Sequence, residues 1–153
     1  MYHMILRAKL RRAFRDIDAG RYDKIVPRFA PRHEHAFDGD HALGGTRTSL
    51  DSTARWYERL ARLFPDLKFT IVGMTSSGWP WDTRAVVEWV DHFTVDGAPG
   101  SNRGVHVFRF AWGRCTSLHV YCDTQKLVTV FDAKARGGLV EALAAPIADV
   151  SLG

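Results

Sequence analysis

A row of polar side chains near the end of one predicted strand offers the clearest means of acid–base chemistry in the sequence. Residues 108–123 read as two antiparallel strands joined at Gly113-Arg114, with Gly113 supplying the positive φ that a tight turn needs. Side chains alternate faces along a strand, so His119, Tyr121 and Asp123 share one side of the second strand. Asp123 ends the row, where a side chain can point into the mouth of a pocket.

Asp123 has two interpretations at this stage. An aspartate directly before the helical run that starts at Thr124 is a common helix N-cap, and that can be its whole role. Alternatively, Asp123 is a general base at the end of a cavity, with His119 or Tyr121 nearby. One carboxylate can also serve both purposes, and both interpretations stay open.

The two preceding strands supply the remaining candidates. Residues 84–95 place Trp89 and Asp91 on one face, and residues 105–112 place His106 in line with two phenylalanines. If the strands pair as expected, one face of the sheet lines a cavity, and the opposite parity would remove all of its members together. The predicted cavity face consists of Trp89, Asp91, His106, Phe108, Phe110, His119, Tyr121 and Asp123.

Side chains on such a face could remove a proton from the carbon atom next to a carbonyl group. A carboxylate in an apolar cavity has its charged form disfavoured, so its pKa rises toward neutral pH. His106, His119 and Tyr121 are the donors available for the enolate oxygen. Plain structural roles compete with each assignment: the histidines as partly buried side chains with satisfied hydrogen bonds, Asp91 as the partner of a cation, and the aromatic residues as core.

The elements around this face predict an α+β fold with one domain over residues 1–153. Apolar residues at helical spacing predict an amphipathic first helix, and the strongest helix begins at Asp51 or Ser52 and carries Trp56. A glycine-rich loop containing His41 lies between the first strand and that helix. The predicted helices cover residues 4–18, 22–26, about 51–64, the segment after 123, and 139–145; the predicted strands cover 32–37, 68–74, 84–95, 105–112 and 115–122.

Composition excludes several function classes. The 153 residues carry a net charge of +4 and hold no apolar run long enough to span a membrane, so we expect no membrane partner. No reading motif accompanies the basic excess, so we also expect no nucleic-acid partner. The start of the sequence lacks a secretory signal pattern. Cys115 and Cys122 fall on opposite faces of one strand and cannot bridge there, which fits a reducing cytoplasm.

Neither a metal nor a cofactor is expected. The loop around His41 lacks the phosphate-binding glycine patterns. His33 and His35 share a strand face and could supply two metal ligands, but no spacing motif supplies a third.

Two stretches resemble a known family: residues 41–47 together with the helix that ends at Phe64, and residues 112–125. The chain resembles the SnoaL-like proteins of the nuclear transport factor 2-like, cystatin-like superfamily over nearly its whole length. The resemblance implies a cone-shaped, curved antiparallel sheet wrapped around N-terminal helices, with a mostly apolar internal cavity, and a homodimer. It also implies an acid–base role for Asp123, which matches by position the aspartate that SnoaL-like polyketide cyclases use.

The sequence therefore predicts a small cofactor-independent enzyme of the isomerase, cyclase or dehydratase type, acting on a hydrophobic carbonyl-containing small molecule. The alternative is a non-catalytic ligand-binding or dimerisation module of the same fold. The predicted catalytic residues are Asp123, His119, Tyr121 and His106, and the predicted substrate pocket consists of Trp56, Trp89, Asp91, Phe108, Phe110 and His41.

Overall fold

The computed structural model of the chain describes residues 1–149. One curved sheet of six strands carries three α-helices and three short 3₁₀ turns, in the order helix, strands, helix, strands, helix. The α-helices are α1 (Tyr2–Asp18), α2 (Leu50–Leu63) and α3 (Thr124–Arg136). The strands are β1 (Phe29–Phe37), β2 (Gly45–Ser49), β3 (Lys68–Trp79), β4 (Asp82–Val95), β5 (Ala98–Ala111) and β6 (Arg114–Cys122). The 3₁₀ turns are Tyr22–Lys24, Val26–Arg28 and Val140–Leu143.

The strand order across the sheet is β2-β1-β6-β5-β4-β3, and each pair is antiparallel except the parallel pair of β1 with β6. The sheet curves around the helices without closing. The expected α+β cone is therefore confirmed. We call the side of the sheet that faces the helices the inner face and the opposite side the outer face.

The helices cover the inner face because their apolar residues recur at helical spacing. In α1 the buried stripe is Leu6, Leu10, Phe14 and Ile17, and the helix ends before Gly20, which takes φ +70°. In α2 the hydroxyl of Ser49 accepts the N–H of Ser52 at 3.1 Å and caps the first turn. These stripes and the inner face of the sheet form the hydrophobic core.

Several predicted boundaries are wrong. The helix expected over residues 22–26 is two 3₁₀ turns, and β2 forms where only a loop was expected. Strand β3 runs on to Trp79, five residues beyond the expected end at Met74, so the chain turns at Pro80 and Trp81. Two-residue turns join β4 to β5 at Asp96-Gly97 and β5 to β6 at Trp112-Gly113, all with positive φ.

A β-bulge in β6 decides which side chains face inward. Cys115 pairs with Phe110 across the hairpin, but Ser117 pairs with Arg109, so Thr116 is an extra residue with no partner. From that point the two faces of β6 are exchanged relative to a regular hairpin. As a result the buried residues of β6 are Cys115, Leu118 and Val120.

The C-terminal segment closes the corner between β2 and α2. The fully buried guanidinium of Arg47 donates to the carbonyls of Gly44 and Ile147 and to Nδ1 of His35 at 2.8–2.9 Å. The carboxylate of Asp149 accepts N–H and O–H groups at the end of β2 and the start of α2, including the hydroxyl of Ser52 at 2.5 Å. These hydrogen bonds hold the pKa of Asp149 well below its usual range.

Candidate functional site

The inner face encloses a chamber and an adjoining groove. The chamber has a volume of about 50 Å³ and lies between α2, the start of α3 and the middle of the sheet. The groove has a volume of about 450 Å³ and lies between α1, the 3₁₀ turns and the β5–β6 hairpin. Three residues line both spaces: Ile17, Tyr57 and His106. The two spaces therefore share a wall formed by these residues.

Asp91 on β4 is the acidic residue that lines the chamber. Its Oδ1 accepts the backbone N–H of Asn102 on β5 at 2.6 Å, and no hydrogen bond among residues 1–149 reaches its Oδ2. Burial raises the pKa of Asp91, and the Asn102 N–H offsets part of that rise. A carboxyl group with a raised pKa and a free oxygen is equipped to accept and return a proton.

Asn102 and Cys122 fix the environment of this carboxylate. The buried amide of Asn102 donates to the backbone carbonyl of Asp123 at 3.0 Å and accepts the Arg103 N–H at 2.7 Å. Cys122 lines the chamber too, and burial together with the nearby carboxylates of Asp91 and Asp123 raises the pKa of its thiol to about 12. The thiol therefore stays protonated at neutral pH, and the ionisable group of this wall is Asp91.

Trp89 and His106 form a second polar feature of the same wall. The indole Nε1–H of Trp89 donates to Nδ1 of His106 at 2.7 Å. Because an indole nitrogen can only donate, Nδ1 must be unprotonated, and the neutral ring carries its proton on Nε2. Burial lowers the pKa of His106 to about 3, so the ring is neutral at physiological pH. No hydrogen bond within the described part of the chain reaches its Nε2, which leaves a fixed N–H donor.

Tyr57 was not singled out in the sequence. It lies on the buried stripe of α2, lines both the chamber and the groove, and has no hydrogen bond to its hydroxyl among the described residues. Burial raises the pKa of its phenol, so the group remains a donor. Its helical position made it look like core alone, because an apolar stripe does not distinguish a cavity wall from a packed interior.

The prediction that His119, Tyr121 and Asp123 line the cavity is wrong. The bulge at Thr116 turns His119 and Tyr121 to the outer face, opposite Val107 and Val105. There His119 is hydrogen-bonded to the carboxylate of Glu34 and, through Nδ1, to the hydroxyl of Tyr121 at 3.2 Å. They line a shallow outer groove of about 640 Å³.

Asp123 is exposed and caps α3. Its carboxylate accepts the N–H of Lys126 at 3.0 Å, as the N-cap interpretation predicts. Only its backbone carbonyl, through Asn102, is connected to the chamber wall.

The other predicted pocket residues divide into two groups. Trp56 and Trp89 line the chamber with Asp91, and Trp56 Nε1–H donates to the Leu43 carbonyl at 2.8 Å. Phe108 and Phe110 line the groove.

His41 is buried outside both spaces, so its expected place in the substrate pocket is wrong. Its Nε2–H donates to the Asp38 carbonyl at 2.9 Å, its Nδ1 accepts the Leu43 N–H at 3.2 Å, and its ring packs between Phe37 and Phe131. Burial lowers its pKa. The ring therefore organises the loop before β2.

Within residues 1–149, no group of three or more potential metal ligands comes together. His33, one of the histidines considered for a metal, uses both ring nitrogens within the protein, at 2.7 Å from the Ala30 carbonyl and 2.7 Å from the Thr53 hydroxyl. None of the helices in this range is long and apolar enough to cross a bilayer.

Comparison with known proteins decides the family. The model of the SnoaL-like domain matches residues 10–118 of the 153. The chain belongs to the SnoaL-like domain family. This match runs from the middle of α1 to the middle of β6 and therefore includes Asp91, Asn102 and His106. No curated protein is similar enough to this SnoaL-like chain to count as a match.

Solved structures share the SnoaL-like fold at low sequence identity. A nuclear transport factor 2-like protein of unknown function from Burkholderia pseudomallei superposes with a TM-score of 0.70 at 20% identity, over 82% of this chain and 95% of that one. A protein of unknown function with a cystatin-like fold from Methylobium petroleophilum gives 0.59 at 19%, over 77% and 75%. A protein with a ketosteroid isomerase-like fold from Catenulispora acidiphila, bound to trimethylamine, gives 0.56 at 18%, over 72% and 78%. These likenesses support the architecture.

Proposed function

We propose that the chain is a cofactor-independent enzyme of the isomerase, cyclase or dehydratase type that moves a proton on a small hydrophobic carbonyl compound. The observation that carries the proposal is the position of Asp91, a carboxyl group with a raised pKa in a chamber lined mainly by apolar and aromatic residues. Asp91 takes the role that the sequence assigned to Asp123.

The chemistry follows from two groups on one wall. Asp91, ionised, accepts a proton from the carbon next to the carbonyl, and its raised pKa makes it a stronger base than an exposed aspartate. His106 donates its fixed Nε2–H to the carbonyl oxygen as negative charge develops there. Because the ring stays neutral, it stabilises the enolate without taking the proton itself.

The size of the two spaces sets how a substrate would lie. A chamber of about 50 Å³ admits only the reacting end of a molecule, while the adjoining groove of about 450 Å³ is in the usual range for small-molecule sites. The groove is lined mainly by apolar residues, including Leu10, Phe29 and Phe110, so its occupant would be hydrophobic. Its carbonyl end would meet the shared wall at His106.

The test is a proton-exchange assay with hydrophobic cyclic ketones such as 2-tetralone, first screened for binding by ligand-induced quenching of intrinsic fluorescence. The wild-type protein should exchange the α-protons of a bound ketone with D₂O, followed by proton NMR. Asp91→Asn should lower the exchange rate about a hundredfold or more while affinity stays within a few fold.

Asp123→Asn is the matched control. It makes the same chemical change, keeps a residue type that caps helices well, and lies outside the chamber. Exchange that survives in Asp91→Asn, or that is lost in Asp123→Asn instead, would remove Asp91 from the reaction.

A second candidate is a non-catalytic ligand-binding module that uses the same spaces. It is favoured by one observation: Asp123, the residue that matches the family's catalytic aspartate, faces solvent as a helix cap. This function predicts that a ketone binds to the wild-type protein without any α-proton exchange and that Asp91→Asn binds equally well.

We also propose that the chain forms a homodimer through the outer face, as the family resemblance implies. That face carries a half-buried apolar stripe that includes Val86, Val105 and Val107, between charged residues of both signs. Val107→Glu should convert the dimer to a monomer in light scattering, whereas a wild-type monomer would count against the interface. The free thiols Cys115 and Cys122 support the expected cytoplasmic location.

A further inference from the structure

Three exposed tryptophans lie close together at the end of the sheet that carries the β3–β4 and β5–β6 turns. Trp79 ends β3, Trp81 lies in the β3–β4 turn and Trp112 in the β5–β6 turn, and more than half of each is exposed. The rings of Trp79 and Trp81 stack at 5.6 Å and 4°, and Trp112 lies 6.0 Å from Trp81. Large aromatic side chains normally contribute to cores and interfaces, so three of them in solvent require an explanation.

The backbone holds this cluster in place at a local cost. The N–H of Trp112 donates to the carbonyl of Pro80 at 2.7 Å, which ties the two turns together. Trp112 takes φ +52°, a conformation that bulky residues rarely adopt and glycine adopts freely. Its ring is 75% exposed and gives the core little in return. The Trp112 ring is therefore exposed at a position where glycine would adopt the backbone conformation at a lower energetic cost.

The first turn of α1 adds aliphatic surface at the same end. The Tyr2 hydroxyl lies 2.7 Å from the Thr83 hydroxyl at the start of β4, and His3 Nε2 lies 3.1 Å from the Gly78 carbonyl beside Trp79. Met4 and Ile5 follow directly and are exposed. We call five of the exposed apolar residues at this end the tip patch: Met4, Ile5, Trp79, Trp81 and Trp112.

Basic side chains lie beside parts of the tip patch. Arg7 contacts the Ser76 hydroxyl on β3, and Arg84 lies on the outer face two residues after Asp82. Asp82 is paired with Arg109 at 3.5 Å, so its charge is already compensated. The cations that line the groove are Lys9, Arg12, Arg28 and Arg114, and Arg114 directly follows the Gly113 turn. Arg7 and Arg114 therefore make the rim of the tip patch positive.

We propose that the tip patch docks on an anionic lipid surface. Tryptophan rings are favoured at the boundary between lipid and water because they are apolar with one polar N–H, and exposed Met and Ile side chains can enter the same layer. Arginine and lysine around them would meet lipid phosphates. A sugar ligand is less suited, since Trp79 and Trp81 cover each other's faces and the rim offers cations rather than free carboxylates. The expectation of no membrane partner rested on the lack of an apolar run that could span a membrane. The residues of the tip patch are separated in sequence and come together only in the folded chain.

The experiment measures binding of the full chain to large unilamellar vesicles. Vesicles of phosphatidylcholine mixed with phosphatidylglycerol should bind the protein in co-sedimentation, more weakly as NaCl is raised, and vesicles of phosphatidylcholine alone should bind it much less. Brominated acyl chains in the anionic vesicles should quench tryptophan fluorescence. The double variant Trp81→Ser/Trp112→Gly should lower the partition coefficient by about tenfold or more.

Controls separate this effect from unfolding and from general charge. Trp112→Gly relieves the positive φ, so the variant keeps a residue suited to the turn, and an unchanged Tm would show that the fold is intact. Val140→Ala/Leu143→Ala removes exposed apolar residues outside the tip patch and should bind as the wild type does. Arg114→Gln should weaken binding, while Arg136→Gln, on α3, should not.

Three results would overturn the proposal. The first is no binding of the wild-type protein to anionic vesicles. The second is binding that the tryptophan variant leaves unchanged. The third is a tryptophan variant that changes the oligomeric state in light scattering, which would identify the tip patch as a contact between copies of the chain.

Discussion

The buried imidazole of His106 makes a quantitative prediction about stability in acid. Its pKa in the folded chain is about 3, against 6.5 for an ordinary imidazole, because burial opposes the charge. Protonation of Nδ1 would also set two N–H groups against each other, since Trp89 can only donate. As the pH falls below 6.5, the unfolded chain binds a proton that the folded chain does not, so the free energy of unfolding decreases.

The size of this loss follows from the two pKa values. It begins near the unfolded pKa of 6.5 and continues until the pH approaches the folded value of about 3. At about pH 5 the free energy of unfolding has fallen by about 2 kcal/mol, because each pH unit below the unfolded pKa costs ~1.36 kcal/mol and pH 5 lies about 1.5 units below it. That is a substantial part of the ~5–15 kcal/mol by which domains are stable. His35 acts in the same direction, because burial holds its pKa well below the ordinary value.

The assay is urea unfolding of the wild type and His106→Gln at several pH values between about 7 and about 5. Glutamine offers an oxygen to accept the Trp89 N–H but does not titrate. The slope of the unfolding free energy against pH reports the difference in bound protons between the unfolded and the folded chain. At the acid end of the range this difference should be smaller by about one proton in the variant. His92→Gln, which removes an exposed imidazole, is the control. Equal slopes for the wild type and His106→Gln would refute the reasoning.

Three further substitutions test other contacts. Asp123→Ala should lower the free energy of unfolding by about 1 kcal/mol through loss of the α3 cap, measured by urea unfolding, while ketone binding stays unchanged. Arg47→Met should cost at least about 3 kcal/mol in the same assay, because it leaves buried carbonyls without their donor. Gly104→Ala should lower Tm and weaken ketone binding, since a Cβ there would lie 2.3 Å from the Tyr121 carbonyl and 2.6 Å from the Trp89 ring.

Each of these has a control or a contradicting result. Asp123→Asn should retain most of the cap, so a loss equal to that of Asp123→Ala would argue against capping. If Arg47→Met unfolded at the wild-type urea concentration, the buried hydrogen bonds would carry no net stability. Gly97→Ala has open space around its Cβ but a positive φ, so it separates backbone strain from the displacement of Trp89 expected in Gly104→Ala.

The local features of the fold could be predicted because their signals are local. Apolar spacing predicted α1 and α2, Asp96-Gly97 predicted the β4–β5 turn, and alternation placed Asp91 and His106 on the inner face. Each of these depends on residues a few positions apart or on one hairpin with regular register. The family resemblance supplied the cone and its cavity.

The side chains of β6 that point to the inner face could not be predicted, because one unpaired residue exchanges the two sides of the strand. With regular pairing from Gly113, His119 would lie opposite His106 on the inner face, which is the arrangement that the sequence suggested. The bulge at Thr116 replaces that pair with Val120 and His106, and it also brings Cys122 to the inner face with Cys115. Burial of Leu118 and Val120 favours the shifted register, and the apolar pattern of β6 was the available signal for it.

Long-range contacts escaped prediction for a different reason. The buried hydrogen bond from Arg47 to the Ile147 carbonyl depends on the C-terminal segment, 100 residues away in sequence. A short polar segment such as residues 45–49 has no strand signal of its own, and nothing local indicates that an arginine is buried.

The Arg47 corner has a consequence for how the chain acquires its structure during synthesis. One acceptor of this guanidinium belongs to Ile147, 100 residues later, and Asp149 meets Ser52 across 97 residues. While the ribosome is still synthesising the sheet, the guanidinium of Arg47 lacks the Ile147 carbonyl as an acceptor. The corner must therefore remain hydrated. Its closure must therefore follow translation of residue 149, which makes it a late step of folding during synthesis.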